Sequence, residues 1–196
     1  MMNSVTPEHV ELTPNVGRIV AALYFVMADS QRRGRNVSQY HLVKTLFLAD
    51  RTHLNEWGRP VTYDNYCAMK HGPVPSLAYD LLKGNEKAMR DHHLYGVPWK
   101  SVPYNKSTKH FFPIDGTLDP EEFLSASDVE ALTESLCVVQ ALGFGQIQRL
   151  THEDPAYVDA WREDGGRAAY AMKLGLLFDE PNFEQAATLA EYSPYV

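Results

Sequence analysis

Only two of the 196 residues are cysteine, and Cys67 and Cys137 stand 70 positions apart. That excludes a disulfide scaffold, a C-x-x-C redox pair and a zinc-finger spacing, and it leaves both thiols to be read as small buried hydrophobes. Long hydrophobic runs are missing as well. No stretch nears the ~18 continuous apolar residues of a membrane span. Met1-Met2-Asn3-Ser4-Val5-Thr6-Pro7-Glu8 has neither the basic nor the apolar segment of a secretory leader, so the chain is expected to be cytoplasmic. Positive charge is short: 18 Lys+Arg face 25 Asp+Glu, a formal net charge of −7, which weighs against direct nucleic-acid binding. There is no G-x-x-x-x-G-K-[ST] phosphate loop, no H-E-x-x-H and no G-x-S-x-G elbow. Gly143-Phe144-Gly145 lacks a third glycine and a preceding strand, and reads as a helix stop.

What is present is 44% hydrophobic and 11% aromatic residues, enough for one domain with its own core and no staple. Helical periodicity dominates. Residues 14–29 carry the stripe Val16, Ile19, Val20, Leu23, Val26, Met27, with Thr13 as N-cap and Pro14 at the first helical position. Ser38 reads as the cap of a second helix over 39–56, with a hydrophobic staple between Val37 and Leu42. Gly58, Pro60, Gly72, Pro73 and Pro75 break the helical period. Tyr63–Lys70 is then a candidate strand, 76–83 a helix closed by Gly84, and 97–114 a hairpin that sets Val102-Pro103-Tyr104 against His110-Phe111-Phe112. Ser127 and Glu130 form a capping-box spacing before a helix ending at Gly143. Helices follow at 144–151 and 155–163, the latter with Asp154 as cap and Pro155 next, and weaker ones at 168–178 and 183–191. The fold class is α+β, predominantly α-helical, with a small antiparallel sheet or hairpin around 61–70 and 100–113. Residues 1–13 read as an N-terminal extension, 14–165 as the domain, and 166–196 as a C-terminal helical extension packed on it.

Asp50 lies on the apolar stripe of the second helix, where a carboxylate must be paired or hydrogen-bonded. The turn Lys70-His71-Gly72-Pro73 is its expected partner. Asp50 and His53, spaced i,i+3, share a helix face, and with His71 or His152 they define an alternative reading as a metal-dependent hydrolase or nuclease. No two of these histidines stand at a metal-motif spacing, so neither a metal nor a cofactor is assigned. Arg32, Arg33 and Arg35 cluster without interleaved aromatics and read as a solvated loop, and His92-His93 as exposed.

The segments Leu42-Val43-Lys44-Thr45-Leu46-Phe47-Leu48-Ala49-Asp50-Arg51-Thr52-His53-Leu54, Gly58-Arg59-Pro60-Val61-Thr62 and Tyr66-Cys67-Ala68-Met69-Lys70-His71-Gly72-Pro73-Val74-Pro75 resemble the Panacea domain of SocA-like antitoxins. Weaker similarity continues through Leu124-Ser125, 128–142 and Leu150-Thr151-His152 with Pro155, so the resemblance covers roughly 15–165. It implies a non-enzymatic antitoxin that binds a cognate protein toxin encoded beside it. Adaptor action, delivering the toxin or another protein to a protease, is the variant of that reading. The family supplies no catalytic residues. Its regular positions, matched here by Asp50, Arg51, Gly58, Arg59, Pro60, His71, Gly72 and Pro73, are types that fix turns and pair buried charges; they form either the scaffold or a partner surface.

Charge is distributed unevenly. Residues 1–110 hold 14 Lys+Arg and 9 Asp+Glu, a net +5, whereas 111–196 hold 4 and 16, a net −12. The acidic part either folds against the basic half or meets a basic toxin, with Glu121, Glu122, Asp128, Glu130 and Glu134 as partner-facing candidates. Tyr63, Tyr66, Trp99 and Tyr104 are candidate aromatic anchors.

Overall fold

A computed structural model describes residues 7–162 and 166–196. The first six residues, and Glu163 at the end of the helix expected over 155–163, lie outside the described residues. Helix α1 (Val16–Arg32) starts two residues later than the expected 14, at the first residue of its stripe, because Asn15 and not Thr13 caps it, its side chain accepting from Arg18 N at 3.0 Å. A two-residue strand β1 (Val37–Ser38) leads into α2 (Gln39–Trp57). Ser38 and His41 cap that helix reciprocally, and Gly58 closes it in the left-handed conformation.

Strands β2 (Tyr66–Met69) and β3 (Gly72–Pro75) form a tight hairpin, followed by α3 (Ser76–Lys83), which Gly84 ends as expected, and by α4 (Glu86–Asp91). The second hairpin, β4 (Trp99–Pro103) with β5 (Lys109–Pro113), pairs Val102 with His110 and Ser101 with Phe111. Strand β1 adds to its far side, Val37 opposite Phe111. Helix α5 (Ala126–Ala141) begins two residues before the box read at Ser127 and Glu130; Ser125 and Asp128 make the capping box instead. Helices α6 (Phe144–His152) and α7 (Pro155–Ala160) follow, the latter under the Asp154 cap. The helix expected over 168–178 is replaced by strand β6 (Ala169–Ala171) and a 3-10 turn at Leu174–Leu176, and α8 (Phe183–Tyr192) comes next. Strand β6 pairs antiparallel with β2, Tyr170 opposite Ala68 and Ala171 opposite Cys67, so the C-terminal segment completes the sheet β3-β2-β6. Two three-stranded antiparallel sheets and a majority of helix make this an α+β, predominantly helical fold.

Helix α2 sits between two cores. One face packs Leu42, Leu46 and Ala49 against α1, α3 and α5, with Trp99 and Phe111 of the hairpin. The other packs Phe47 and Leu54 against Tyr63, Tyr66, Tyr157 and the C-terminal Leu177, Phe178 and Leu189. Because both faces are covered, polar residues of α2 are carried inside as well. Among the described residues no helix is long and apolar enough to cross a membrane. Cys67 is half-buried and Cys137 exposed, so the expectation that both are core thiols is corrected; Cys137 lies on the outer side of α5, beside Arg33.

Gly72, the first residue of β3, has φ +101°, and a Cβ there would stand 2.5 Å from Lys44 Nζ and 2.8 Å from Thr151 Oγ1. Gly84 has φ +69° but open space around it. Gly84→Ala is therefore expected to cost ~1–2 kcal/mol, the left-handed penalty alone. Gly72→Ala should cost clearly more, because Lys44 and Thr151 must also move. Urea unfolding of the two variants measures this directly, and equal losses would contradict it.

Candidate functional site

Helix α2 buries Lys44, Asp50 and His53 on different sides, and each finds its partner in a different segment. Asp50 is 2% exposed. Its carboxylate accepts from Thr62 N at 2.9 Å, from the Thr62 hydroxyl, and from Tyr66 OH at 2.8 Å. Burial pushes its pKa up to about 6 against the opposing pull of these donors. The expected bond from Asp50 to the 70–73 turn is thus replaced by bonds to the 62–66 segment, whose Thr62 and Tyr66 donors fill the carboxylate. The turn is held by Lys44 instead, 1% exposed, whose Nζ donates to Pro73 O at 2.8 Å.

Thr62 is delivered by an unusual backbone. Tyr63 adopts φ +57°, and Asp64 beyond it is buried, accepting from the N–H groups of Asn65, Leu77 and Ala78 at 2.8–3.0 Å. Pro75 provides no side-chain cap for α3, so Asp64 caps that helix from a distance. Burial raises the Asp64 pKa to about 7, and the neighbouring Asp50 charge adds to the rise.

The densest polar cluster surrounds Asp128, which is fully buried. Arg59 grips it with two prongs, Nη1 to Oδ1 at 2.8 Å and Nη2 to Oδ2 at 3.2 Å, and Arg18 Nη2 donates to Oδ2 at 2.6 Å. The backbone and hydroxyl of Ser125 donate at 2.8 Å each. Arg18 also reaches Val61 O and Phe123 O, tying α1 to the chain on both sides. Burial alone would raise the Asp128 carboxyl; the bonds from Arg59 and Ser125 outweigh it and hold the pKa down to about 2. His53 sits beside this knot with Nδ1 2.8 Å from Arg59 O and Nε2 3.0 Å from Ser127 Oγ. A carbonyl only accepts, so Nδ1 carries a proton; Nε2, which also lies 3.2 Å from Asp128 Oδ1, accepts from the Ser127 hydroxyl in the neutral ring and would bond the carboxylate only when protonated. Burial lowers the His53 pKa and favours that neutral form.

The structure therefore separates the residues of the metal reading. Asp50 and His53 are each engaged by protein donors and acceptors. His71 is exposed at the β2–β3 turn against Phe144, ring centroids 5.6 Å apart. Among the described residues no group of three or more His, Cys, Asp or Glu is arranged to hold a metal ion. Arg51 pairs with Asp154 Oδ2 at 2.7 Å and Asp179 Oδ1 at 2.9 Å, joining α2 to α7 and the C-terminal segment. Gly72 and Pro73 are buried. Of the acidic candidates, Glu121, Glu122, Glu130 and Glu134 are exposed, but Asp128 points inward, because two arginines and a helix cap claim it. Tyr63, Tyr66 and Trp99 are core, whereas Tyr104 is 69% exposed. Lys44, Asp64 and Arg18 had no role assigned from sequence. Lys44 was detectable in principle, since Leu42–Ala49 is apolar nearly all round and a helix of that kind is buried on every face.

Asp128→Asn should destabilise the domain by ~3–5 kcal/mol at pH 7, the loss typical of breaking a buried ion pair on one side. A carboxyl whose folded pKa lies near 2, below the ordinary 3.8, contributes stability above pH ~4 that disappears as the pH falls toward 2. Urea midpoints of wild type and Asp128→Asn should accordingly converge over that range. A constant gap from pH 7 to pH 2 would contradict the assignment.

The profile of the family described as antitoxin SocA-like, Panacea domain, matches residues 42–157, more than half of the chain. Neither a curated protein nor a solved structure gives a match. The matched span runs from α2 to α7 and contains the Lys44–Pro73, Asp50–Thr62 and Arg59–Asp128 contacts. With its sequence motifs matched and the buried partners of those motifs in place, the chain belongs to the SocA-like antitoxin family and carries that family's Panacea domain.

Proposed function

We propose that this domain neutralises a cognate protein toxin by direct, stoichiometric binding, with no chemical step of its own. The observation that carries the reading is the inward use of the motif. Asp50, Arg59 and His53 spend their hydrogen-bonding capacity on the domain itself, leaving recognition to the exposed surface. Membership of an antitoxin family supports a toxin as the partner. The acidic C-terminal part supplies a surface of suitable sign for a basic one. Glu121, Glu122, Glu130 and Glu134 are exposed and make no ion pair among the described residues, and Glu130 and Glu134 stand one turn apart on α5. A complex of this kind needs about 800 Å² of interface per partner.

The test is co-expression with the neighbouring short reading frames. One of them should arrest growth alone, be tolerated beside this chain, and co-purify with it at one to one. Reversing the four glutamates to lysine should slow association, and wild-type association should slow with added salt. Growth rescue without a complex would contradict the proposal. A toxin whose half-life shortens when this chain is present would identify delivery to a protease instead.

A further inference from the structure

A cavity of 530 Å³ opens beside the β2–β3 turn, within the ~300–1,000 Å³ range of small-molecule sites. Its walls are apolar and aromatic: Val43, Met69, Tyr79 and Trp161 line it with Tyr40, whose ring lies tilted against the exposed Phe144 with centroids 4.6 Å apart. Its charged lining residues are Lys44, Lys70 and Arg167, with no Asp or Glu among the described ones. Lys70 and Arg167 are exposed at the rim, whereas Lys44 is buried.

Lys44 is the informative group. An ammonium has three donors, and the described residues offer this one a single carbonyl, Pro73 O, and the face of the Tyr40 ring, 5.6 Å from Nζ to its centroid. Among the described residues no carboxylate pairs with it. A buried cation whose remaining donors lack an acceptor, lining a cavity of otherwise apolar surface, is half of a charge pair. We propose that the cavity binds a small organic acid, a monocarboxylate with an aliphatic or aromatic body. Its carboxylate pairs with Lys44 and its apolar part lies against Val43, Met69 and Trp161. One buried ammonium matches one negative charge; a phosphate dianion would need more buried donors than the cavity holds. The lowered pKa of Lys44, about 7 through burial, is the cost that an anion in the cavity offsets.

Titration calorimetry of the full chain with decanoate and with methyl decanoate tests this. Decanoate should bind saturably at one to one and the neutral ester about tenfold or more weaker, since the ester cannot form the charge-assisted bond. Lys44→Met should weaken decanoate by a similar factor. Ala168→Trp, which plugs the exposed rim without touching the core, should weaken acid and ester alike, so the proposal stays testable if Lys44→Met does not fold. Decanoate that fails to bind wild type, or binds either folded variant as well as wild type, overturns it. So does binding confined to a short apolar peptide with a free C-terminal carboxylate, which would make the cavity a pocket for a polypeptide end.

Discussion

One buried carboxylate, Asp128, receives donors from α1 through Arg18, from the segment after α2 through Arg59, and from the start of its own helix through Ser125. Among the described residues no other carboxylate joins as many segments. A carboxylate removed from water is tolerated only when its lone pairs are filled, and a guanidinium only when its planar fork finds oxygen acceptors. The two requirements meet here, so the relative placement of α1, α2 and α5 follows from satisfying them. His53 is kept neutral beside the knot first by its burial, with the positive charges of Arg59 and Arg18 adding to it. The 58–62 segment, anchored by Arg59 at one end, carries Thr62 to Asp50, and the chain reversal at Tyr63 then sets Asp64 as the cap of α3.

This chain of dependence explains why the motif contains so many ionisable and turn-forming residues: they hold the fold together. Lys44, Asp50, His53, Arg59 and Asp128 all face inward, and each has a partner from a distant part of the sequence. Gly72 is required because Lys44 and Thr151 occupy the space of a side chain. Neutralisation by binding, as proposed, needs a rigid body more than it needs chemistry, and the buried ionic pairs fix the helices on which the exposed surface is displayed.

Local signals were legible in the sequence. The Ser38 cap, the Gly84 stop, Pro155 under Asp154 and the hairpin around Asn105–Thr108 all match the structure, because each depends on neighbours within a few residues. What could not be read depends on distant partners. Ser125-Ala126-Ser127-Asp128 offers two overlapping starts for α5, and the choice falls to Ser125 because Asp128 is also claimed by Arg18 and Arg59. Asp50 was recognisable as a carboxylate in need of a partner, but Thr62 and Tyr66 are identified only once the chain turns at Tyr63. Residues 169–171 carry helical neighbours and become a strand because β2 presents an unpaired edge. Asp128, grouped by charge with Glu121, Glu122, Glu130 and Glu134, faces inward for the same reason: pairing, which linear charge patterning does not contain.

The central claim is that the shared motif residues act through the fold. The most direct measurement sets toxin neutralisation in cells against the thermal stability of the purified chain for Asp50→Asn, Arg59→Lys, His53→Gln and Asp128→Asn together. If the claim holds, all four fall on one curve in which neutralisation declines only as stability does. A variant with wild-type melting temperature and lost neutralisation would contradict it, and would place that residue in contact with the toxin or in a chemical role.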